Sequence, residues 1–240
     1  MVGSTATTAA PRPTGAFHIR RALGVVVAAM AAIANAGVLF LAAGRSDPPA
    51  LRAYAMLWGA FLIGSAVTSD PDLVHERVRP GPGARENLLA ATLIASAIWF
   101  GHLLVAGVDV GRMHWSDSVP PAVQLAGLAG LAGSLVFGHW ASRANPFFSS
   151  VVRIQGERGH RVVTTGPYRY VRHPGYASAV IMVLCSGLAL GSWLSLLPSA
   201  LAIVALVVRT RFEERVLREG LPGYDEYTHR VHYRLLPGMW

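Results

Sequence analysis

The chain has 240 residues, of which 52% are hydrophobic and only 14% are charged, and its mean hydropathy is +0.41. A soluble domain carries about 25% charged residues, so this balance excludes an ordinary soluble protein and predicts one that folds in a lipid bilayer. All 21 basic residues are arginines, and they flank apolar runs instead of forming a separate basic domain. This arrangement argues against nucleic acid as a partner and predicts contacts with the anionic headgroups of membrane lipids.

The N-terminal residues, 1–21, are rich in Thr, Ala and Pro and are predicted to form a disordered cytosolic tail. The apolar run that follows is longer than the roughly 7–15 residues of a signal-peptide core, so we expect a helix that is retained. The single cysteine, Cys185, lies inside an apolar run, and no disulfide within the chain is therefore possible.

Six apolar runs are long enough to cross, or nearly cross, a hydrocarbon core of about 30 Å at 1.5 Å per residue. They cover residues 22–43, 51–69, 88–107, 120–141, 176–191 and 193–208. The last two runs are short and are separated only by Gly191 and Ser192, so they are predicted to form a tight helical hairpin. The predicted fold is all-α, a polytopic transmembrane helical bundle of five to six membrane segments.

These runs divide the chain into three parts. The tail covers residues 1–21, four transmembrane helices cover residues 22–142, and a polar loop, the helical hairpin and a helical tail cover residues 143–240. Within the fourth run, Gly127, Gly130 and Gly133 repeat a small residue every three positions, which allows another helix to pack closely. No strand is predicted before these glycines, so they do not form a dinucleotide-binding loop.

The arginines predict the orientation of the chain in the membrane. With a cytosolic N-terminus, 18 of the 21 arginines fall in cytosolic segments, and only Arg45, Arg52 and Arg112 fall outside. Positive residues are enriched on the cytosolic side of membrane proteins. We therefore expect the polar loop over 143–175 and the tail over 209–240 to be cytosolic, in a bacterial inner membrane.

The segment between the third and fourth apolar runs lies on the outer side in this topology. It contains the charged side chains of Asp109, Arg112 and Asp117. We expect a solvated turn there.

The polar stretch over residues 159–176 concentrates two histidines, three tyrosines and three arginines at a membrane interface. Pro167 and Pro174 interrupt regular structure, because proline removes a backbone donor and restrains the residue before it. Irregular polar backbone near membrane depth is tolerated where it lines a cavity or is buried in protein. The stretch therefore predicts a ligand pocket.

A second polar cluster follows the last apolar run. Helical spacing places Arg209 and Glu213 one turn apart on one face, and Glu214 and Arg218 on the next. On spacing alone these residues form two ion pairs on a solvated interfacial helix. A functional role for them needs further support.

The same residues, in this order, resemble the isoprenylcysteine carboxyl methyltransferase family of integral-membrane enzymes, in its bacterial type. The resemblance runs from about residue 71 to residue 240. Its most specific parts are Gly159-His160, Thr165-Gly166-Pro167-Tyr168-Arg169, Val171-Arg172-His173-Pro174-Gly175-Tyr176, Arg209 with Glu213-Glu214, and Pro222-Gly223-Tyr224-Asp225-Glu226-Tyr227.

The resemblance implies a methyltransferase whose cofactor is S-adenosylmethionine. The positions that match the family's cofactor site are Gln155, His160, Val162, Val163, Tyr168, His173, Pro174, Tyr176, Glu213 and Glu214. The implied catalytic residues are Arg209, which faces the reacting end of the acceptor, and Glu213. The implied acceptor is a lipophilic molecule or a small carboxylate or thiol, and the oligomeric state is left open.

This assignment agrees with the chemistry of the cofactor. Its adenine can stack on tyrosine, its amino group and sulfonium favour a carboxylate, and its carboxylate suits arginine or backbone N–H groups. The cofactor is made in the cytosol, which is where the arginine distribution independently places both polar clusters.

The main alternative is an NAD(P)H-dependent membrane reductase with the architecture of sterol reductases. Such an enzyme needs a basic patch for an extra phosphate, which Arg161, Arg169 and Arg172 could supply, and a proton donor, which Tyr168 could supply. Binding of one cofactor or the other distinguishes the two functions.

A haem or metal protein is a weaker alternative, and no metal site is predicted. His102 and His139 lie in consecutive predicted helices at depths that differ by about 17 Å at 1.5 Å per residue. His229 and His232 have no cysteine or acidic partner at a familiar metal-ligand spacing. A purely structural membrane protein is also possible, but ionisable residues clustered near membrane depth are costly and favour a functional site.

Overall fold

A computed structural model describes residues 14–240. Within this range the regular structure is helical and no strand occurs, which confirms the predicted all-α class. The eight α-helices of the described residues are α1 (Thr14–Ala43), α2 (Pro49–Thr68), α3 (Pro71–Val78), α4 (Leu88–Val108), α5 (Pro121–Ala144), α6 (Pro174–Leu190), α7 (Leu196–Gly220) and α8 (Tyr224–Arg230).

Four helices of the described residues are long and apolar enough to cross a membrane. They cover His18–Ala43, Pro49–Thr68, Leu88–Met113 and Pro121–Ala144. Helix α6 is apolar but has only 17 residues. The first four predicted segments are thus confirmed, and membrane crossing by the last two remains a prediction.

Two predicted boundaries are wrong. Helix α1 begins at Thr14, so residues 14–21 of the predicted tail are helical, and residues 1–13 lie outside the described part of the chain. No proline follows Pro13 in this region, and Arg20 Nη1 contacts Asp72 Oδ1 at 3.1 Å, which extends the helix towards α3. Helix α7 runs unbroken to Gly220, so the predicted sixth apolar run and the polar helix after it are one element.

Proline and capping residues explain where several helices begin. Helices α2, α3, α5 and α6 each have a proline at the start, where the missing N–H costs no hydrogen bond. Asp70 caps α3 by accepting from the Asp72 N–H, and Asn87 caps α4 by accepting from the Ala90 N–H. Helix α6 ends at Gly191, whose φ of +77° suits glycine.

Helix α5 packs along α6 over much of its length. A Cβ on Gly127 would lie 2.5 Å from the Ala189 backbone nitrogen, and one on Gly130 would lie 2.5 Å from Cys185 Sγ. Nothing lies within 4 Å of a Cβ on Gly133. The predicted close packing is therefore confirmed for two of the three glycines.

The central core lies where α1, α2, α4, α5 and α6 meet. Leu39, Leu51, Leu103, Leu131 and Leu190 are all fully buried there. This core separates two polar ends of the bundle, and the polar segments that were predicted to be cytosolic come together at one of them.

Contacts between distant segments hold this polar end together. Arg153, in the loop between α5 and α6, donates to both carboxylate oxygens of Glu76 in α3, at 2.9 and 3.0 Å. The Arg85 N–H donates to the Val152 carbonyl at 2.9 Å. The segment between α2 and α4 is therefore tied to the loop that was predicted to hold a ligand.

At the opposite end, the prediction of a solvated turn is wrong for Asp109. This side chain is fully buried in a π-helical turn after α4, and its Oδ2 accepts the hydroxyls of Ser116 and Ser192. Arg112 donates to two carbonyls at the end of α1, which satisfies helix-end acceptors. Asp117 is exposed, as predicted.

Candidate active site

A pocket lies at the polar end, between the α5–α6 loop, the start of α6, the polar half of α7 and α8. Its empty space is about 820 Å³, including the part open to solvent. Most of the predicted cofactor residues meet there. Those that line it are His160, Val162, Val163, Tyr168, His173, Tyr176 and Glu213.

Gln155 positions the pocket without lining it. Its fully buried side chain donates from Nε2 to the Phe147 carbonyl at 2.6 Å, and its backbone N–H donates to His160 Nδ1 at 3.2 Å. His160 also stacks on Phe147, with ring centroids 4.4 Å apart. Gln155 therefore orients His160, and its geometry gives no support to the predicted cofactor contact.

The imidazole of His160 is a neutral hydrogen-bond donor at neutral pH. Burial lowers its pKa below the usual range. Because Nδ1 accepts from the Gln155 N–H, the proton resides on Nε2. His160 can therefore donate one hydrogen bond in the pocket.

Tyr168 is a buried phenol in the 3₁₀ turn Gly166–Arg169. Its hydroxyl accepts from Asn145 Nδ2 at 3.2 Å, and its carbonyl accepts from the Tyr227 hydroxyl at 2.7 Å. Burial raises the pKa of the Tyr168 phenol, so it stays protonated. These contacts fix an aromatic ring in the pocket wall.

Pro174 sets the start of α6 and is not itself part of the lining. His173 precedes it and Tyr176 follows it, and their rings stack with centroids 5.8 Å apart and planes at 15°. The His173 N–H donates to the Arg234 carbonyl at 2.9 Å, which joins this turn to the C-terminal segment.

Glu214 lies outside the pocket lining and holds the C-terminal segment. It is 4% exposed, accepts from Arg172 Nε at 2.6 Å and pairs with Arg234. Burial acts to raise its pKa, but the nearby His173, at 3.9 Å, the hydrogen bond from Arg234 and the charge of Arg172 outweigh burial and lower the pKa to about 2. This geometry supports a structural role for Glu214. It does not support the predicted contact between Glu214 and the cofactor.

The two ion pairs expected from helical spacing are not formed. Arg218 pairs with Asp225 at 3.1 Å and not with Glu214. Arg209 donates to Glu86, from Nη1 at 3.1 Å and from Nη2 at 2.7 Å, and not to Glu213. The simple reading of this helix, as a solvated element held by pairs one turn apart, is therefore wrong.

Tyr176 connects Arg209 with Glu213. Its hydroxyl accepts from Arg209 Nε at 2.9 Å and donates to Glu213 Oε2 at 2.5 Å. Glu213 lines the pocket, whereas Arg209 lies behind Tyr176 on the side of the membrane helices. The two implied catalytic residues thus face different spaces.

The space on the Arg209 side is an apolar cavity between α4, α6 and α7. It contains about 1590 Å³ of empty space, including the part open to its surroundings. Glu86 and Arg209 lie at its polar end, and its walls include Ile94, Met182 and Leu206. The polar pocket, which Tyr176 lines, and the apolar cavity, which Arg209 lines, are therefore linked by the hydrogen bond from Arg209 to Tyr176.

Several site residues were not predicted. Glu86 comes from a segment far from either polar cluster in sequence, and only the folded chain brings it to Arg209. Asn145 and Phe147 lie just before the predicted stretch. Tyr224 and Tyr227 belong to a motif that carried the family resemblance, but that motif was given no role.

Comparisons with known proteins match the part of the chain that builds this site. Residues 131–219 match the sequence model of the isoprenylcysteine carboxyl methyltransferase family. A probable protein-S-isoprenylcysteine O-methyltransferase from Oryza sativa subsp. indica is 34% identical over 87 residues, 35% of this chain and 46% of that protein. The protein-S-isoprenylcysteine O-methyltransferase of Schizosaccharomyces pombe is 34% identical over 96 residues, 37% of this chain and 39% of that protein.

A third relative has a different name. The cobalt-zinc-cadmium resistance protein CzcN of Cupriavidus metallidurans is 27% identical over 132 residues, 53% of this chain and 56% of that protein. The chain thus spans about half the length, or less, of the curated relatives that it matches.

Proposed function

We propose that the chain is an integral-membrane methyltransferase of the isoprenylcysteine carboxyl methyltransferase family that uses S-adenosylmethionine, as the match of residues 131–219 and the two methyltransferase relatives support. The acceptor is a lipophilic molecule, or a small carboxylate or thiol, that is methylated at the cytosolic face of a bacterial inner membrane. The observation that carries this proposal is the hydrogen bonding of Tyr176 to both Glu213, which lines the polar pocket, and Arg209, which lines the apolar cavity.

The polar pocket suits the cofactor. The Tyr168 and Tyr224 rings offer surfaces for an adenine, and His160 Nε2–H offers a donor. Among the described residues Glu213 forms no ion pair. Its carboxylate can therefore accept a hydrogen bond from the amino group of the cofactor or face its sulfonium. We assign the cofactor to His160, Val162, Val163, Tyr168, His173, Tyr176 and Glu213, with Pro174 setting the helix start.

The apolar cavity suits a lipophilic acceptor whose reacting end is anionic. Its walls accept a hydrocarbon chain, and Arg209 at its polar end presents a planar fork that matches a carboxylate. A carboxylate or thiolate acceptor needs no general base. Arg209 therefore orients the acceptor and exchanges no proton.

The chemistry follows from this arrangement. When bound, S-adenosylmethionine supplies a methyl group on a sulfonium, and its S–CH₃ bond breaks as a bond forms to the acceptor's oxygen or sulfur. Holding the acceptor in line contributes most of the acceleration, and the apolar wall excludes water that would compete. The Tyr176 hydroxyl is hydrogen-bonded to both Arg209 and Glu213 and so fixes the positions of these two side chains relative to each other.

We predict different effects for substitutions on the two sides of Tyr176. Glu213→Gln should weaken S-adenosylmethionine binding about 5- to 150-fold, since a charged contact of about 1–3 kcal/mol is lost. Arg209→Lys should chiefly lower turnover, because lysine keeps the charge but loses the fork. Calorimetric titration of the cofactor and release of S-adenosylhomocysteine measure the two effects.

Matched controls lie on the exposed face of the same helix, namely Glu219→Gln and Arg215→Lys. Both controls should behave like the parent protein. Parental cofactor affinity in Glu213→Gln, together with parental turnover in Arg209→Lys, would remove the basis for this site.

The same titration distinguishes the proposed methyltransferase from the reductase alternative. Arg172, one of the arginines considered for an extra phosphate, is buried and already holds Glu214. NADPH should therefore not bind where S-adenosylmethionine does. The name of the CzcN relative refers to metal resistance, but within the described residues no group of three or more potential metal-ligating side chains occurs. We propose no metal function.

A further inference from the structure

The guanidinium of Arg209 already holds a carboxylate. Two of its nitrogens donate to the two oxygens of Glu86, at 3.1 and 2.7 Å, in the paired geometry that arginine forms with carboxylates. Nε is taken by the Tyr176 hydroxyl, and Nη2 also donates to the Ser150 carbonyl at 2.6 Å. An anionic acceptor that used this fork would have to take the place of Glu86.

Glu86 lies where the head of such an acceptor would lie. It lines the polar end of the apolar cavity together with Arg209, so its carboxylate is at the boundary between the hydrocarbon-lined space and Tyr176. If Glu86 stayed in place, the acceptor carboxylate would meet a second negative charge beside the one guanidinium. Like charges at such short range repel.

The position of Glu86 in the chain allows its side chain to leave Arg209 and to be replaced there by an acceptor carboxylate. It lies just before the cap of α4, in a segment that contains Pro80, Gly81, Pro82 and Gly83 and is not helical. Its side chain is 19% exposed and that of Arg209 is 25% exposed. Glu86 Oε1 also accepts from the Val152 N–H at 2.8 Å, a partner that does not depend on Arg209.

We propose that Glu86 is an internal competitor of the acceptor: it occupies the carboxylate position on Arg209 when no acceptor is bound and leaves when an acceptor carboxylate arrives. This inference rests on the proposed function, in that the apolar cavity receives the acceptor. Residues 131–219, which match the family, do not include Glu86. Glu86 lies in the segment between α3 and α4, outside these matched residues.

The competition has a consequence for the product. Transfer of a methyl group from a sulfonium to a carboxylate gives a neutral methyl ester and a neutral thioether, and no proton is released or taken up. The ester cannot hold the arginine fork as a carboxylate does. Glu86 then regains Arg209, so the ester leaves without the arginine contact that held the acid.

The experiment compares an acid with its ester in the absence of cofactor. N-acetyl-S-farnesylcysteine and its methyl ester are titrated into the full chain, purified in detergent, as the parent protein, Glu86→Gln, Glu86→Asp and the exposed control Glu219→Gln. If Arg209 is free in about a tenth of the parent molecules, Glu86→Gln should bind the acid about 10-fold more tightly, since that population limits the apparent affinity. Binding of the ester should not change.

Glu86→Asp keeps the charge but shortens the side chain, so its affinity for the acid should fall between those of the parent and Glu86→Gln. If Glu86→Gln fails to fold, as judged by size-exclusion and thermal unfolding, the aspartate variant decides. Weaker acid binding in the variants would make Glu86 a residue that holds Arg209 in place, and unchanged acid binding would make it a bystander. Either result overturns the proposal.

Failure of the proposed function gives a separate signal. Calorimetric titration of S-adenosylmethionine into the same preparations tests the methyltransferase assignment and does not involve Glu86. If the protein binds the acid as expected but binds no S-adenosylmethionine, the proposal that Glu86 competes with the acceptor stands and the proposed methyltransferase function is wrong.

Discussion

At the scale of single residues, Tyr176 links the polar pocket, which we assign to the cofactor, with Arg209, which we assign to the acceptor. One hydroxyl accepts from the Arg209 guanidinium and donates to the Glu213 carboxylate. Hydrogen bonds to charged groups contribute more than neutral ones, typically about 1.5–3 kcal/mol. One oxygen atom therefore links the two charged side chains, although Arg209 is also held by Glu86 and the Ser150 carbonyl.

We predict that Tyr176→Phe lowers turnover about 10- to 150-fold, which corresponds to the loss of about 1.5–3 kcal/mol, the contribution of one such hydrogen bond. The ring still stacks on His173, so thermal stability should change little. Release of S-adenosylhomocysteine with N-acetyl-S-farnesylcysteine as acceptor measures the effect. The control is Tyr233→Phe, because Tyr233 is 40% exposed and lies outside both cavities.

Two outcomes would count against this role. Parental turnover in Tyr176→Phe would mean that Arg209 and Glu213 are positioned without the hydroxyl. A large fall in thermal stability with proportionate loss of cofactor binding would mean that Tyr176 supports the fold of the pocket and does not act between the two sites.

At the scale of elements, the contact between α5 and α6 carries the site. Helix α5 leads into the cofactor loop, and α6 begins at the His173–Tyr176 turn. Glycines at the contact allow the two backbones to approach closely, as is common where membrane helices associate. This contact therefore fixes how α5 and α6 lie against each other at the end of α6 away from the pocket.

We predict that Gly127→Ala destabilises the protein by about 1–3 kcal/mol, as expected when a methyl group is forced into packed structure. The new Cβ would lie 2.5 Å from the Ala189 backbone nitrogen, which cannot move without shifting α6. Gly133→Ala is the matched control, because a Cβ there meets nothing within 4 Å.

Unfolding in detergent, followed by thermal or denaturant titration, compares the two alanine variants. Equal stabilities would show that α5 and α6 are not in close contact at Gly127. A lower stability of Gly133→Ala alone would indicate that a different face of α5 packs against its neighbour.

At the scale of the whole molecule, the polar segments separate into two groups at opposite ends of the bundle. The start of α1, the region around α3, the α5–α6 loop and the polar half of α7 are joined by contacts such as Arg153 with Glu76 and Arg209 with Glu86. The other group joins the ends of α1 and α4 to the turn between α6 and α7. This grouping is the one that the arginine distribution predicts, and its orientation in a cell remains a prediction.

We predict that the end with the two cavities is cytosolic. In a Cys185→Ala background, a cysteine at Gly156 should react with an impermeant thiol reagent only after spheroplasts are permeabilised, whereas one at Asp117 should react from outside. Both positions are exposed, so access through the protein does not differ between them. Labelling of the Gly156 cysteine in intact spheroplasts would reverse the topology and remove the route to cytosolic cofactor.

The sequence alone determined the parts of this protein that depend on solvent and on local pattern. A bilayer requires long apolar helices, so hydropathy was enough to find the four spanning helices within a few residues, apart from the early start of α1 at Thr14. The prolines and the aromatic and basic residues over 159–176 predicted a pocket, and most of those residues line it.

Only the tertiary structure decided which charges meet. Helical spacing paired Arg209 with Glu213, but the fold brings Glu86, 123 residues away, to the arginine and leaves Glu213 to the other cavity. Likewise Glu214 turns to Arg172 and Arg234, and Asp109 is buried beside two serines. A buried charge or polar group takes the partner that packing places within reach, and distance along the sequence does not reveal that partner when the two elements are far apart in the chain.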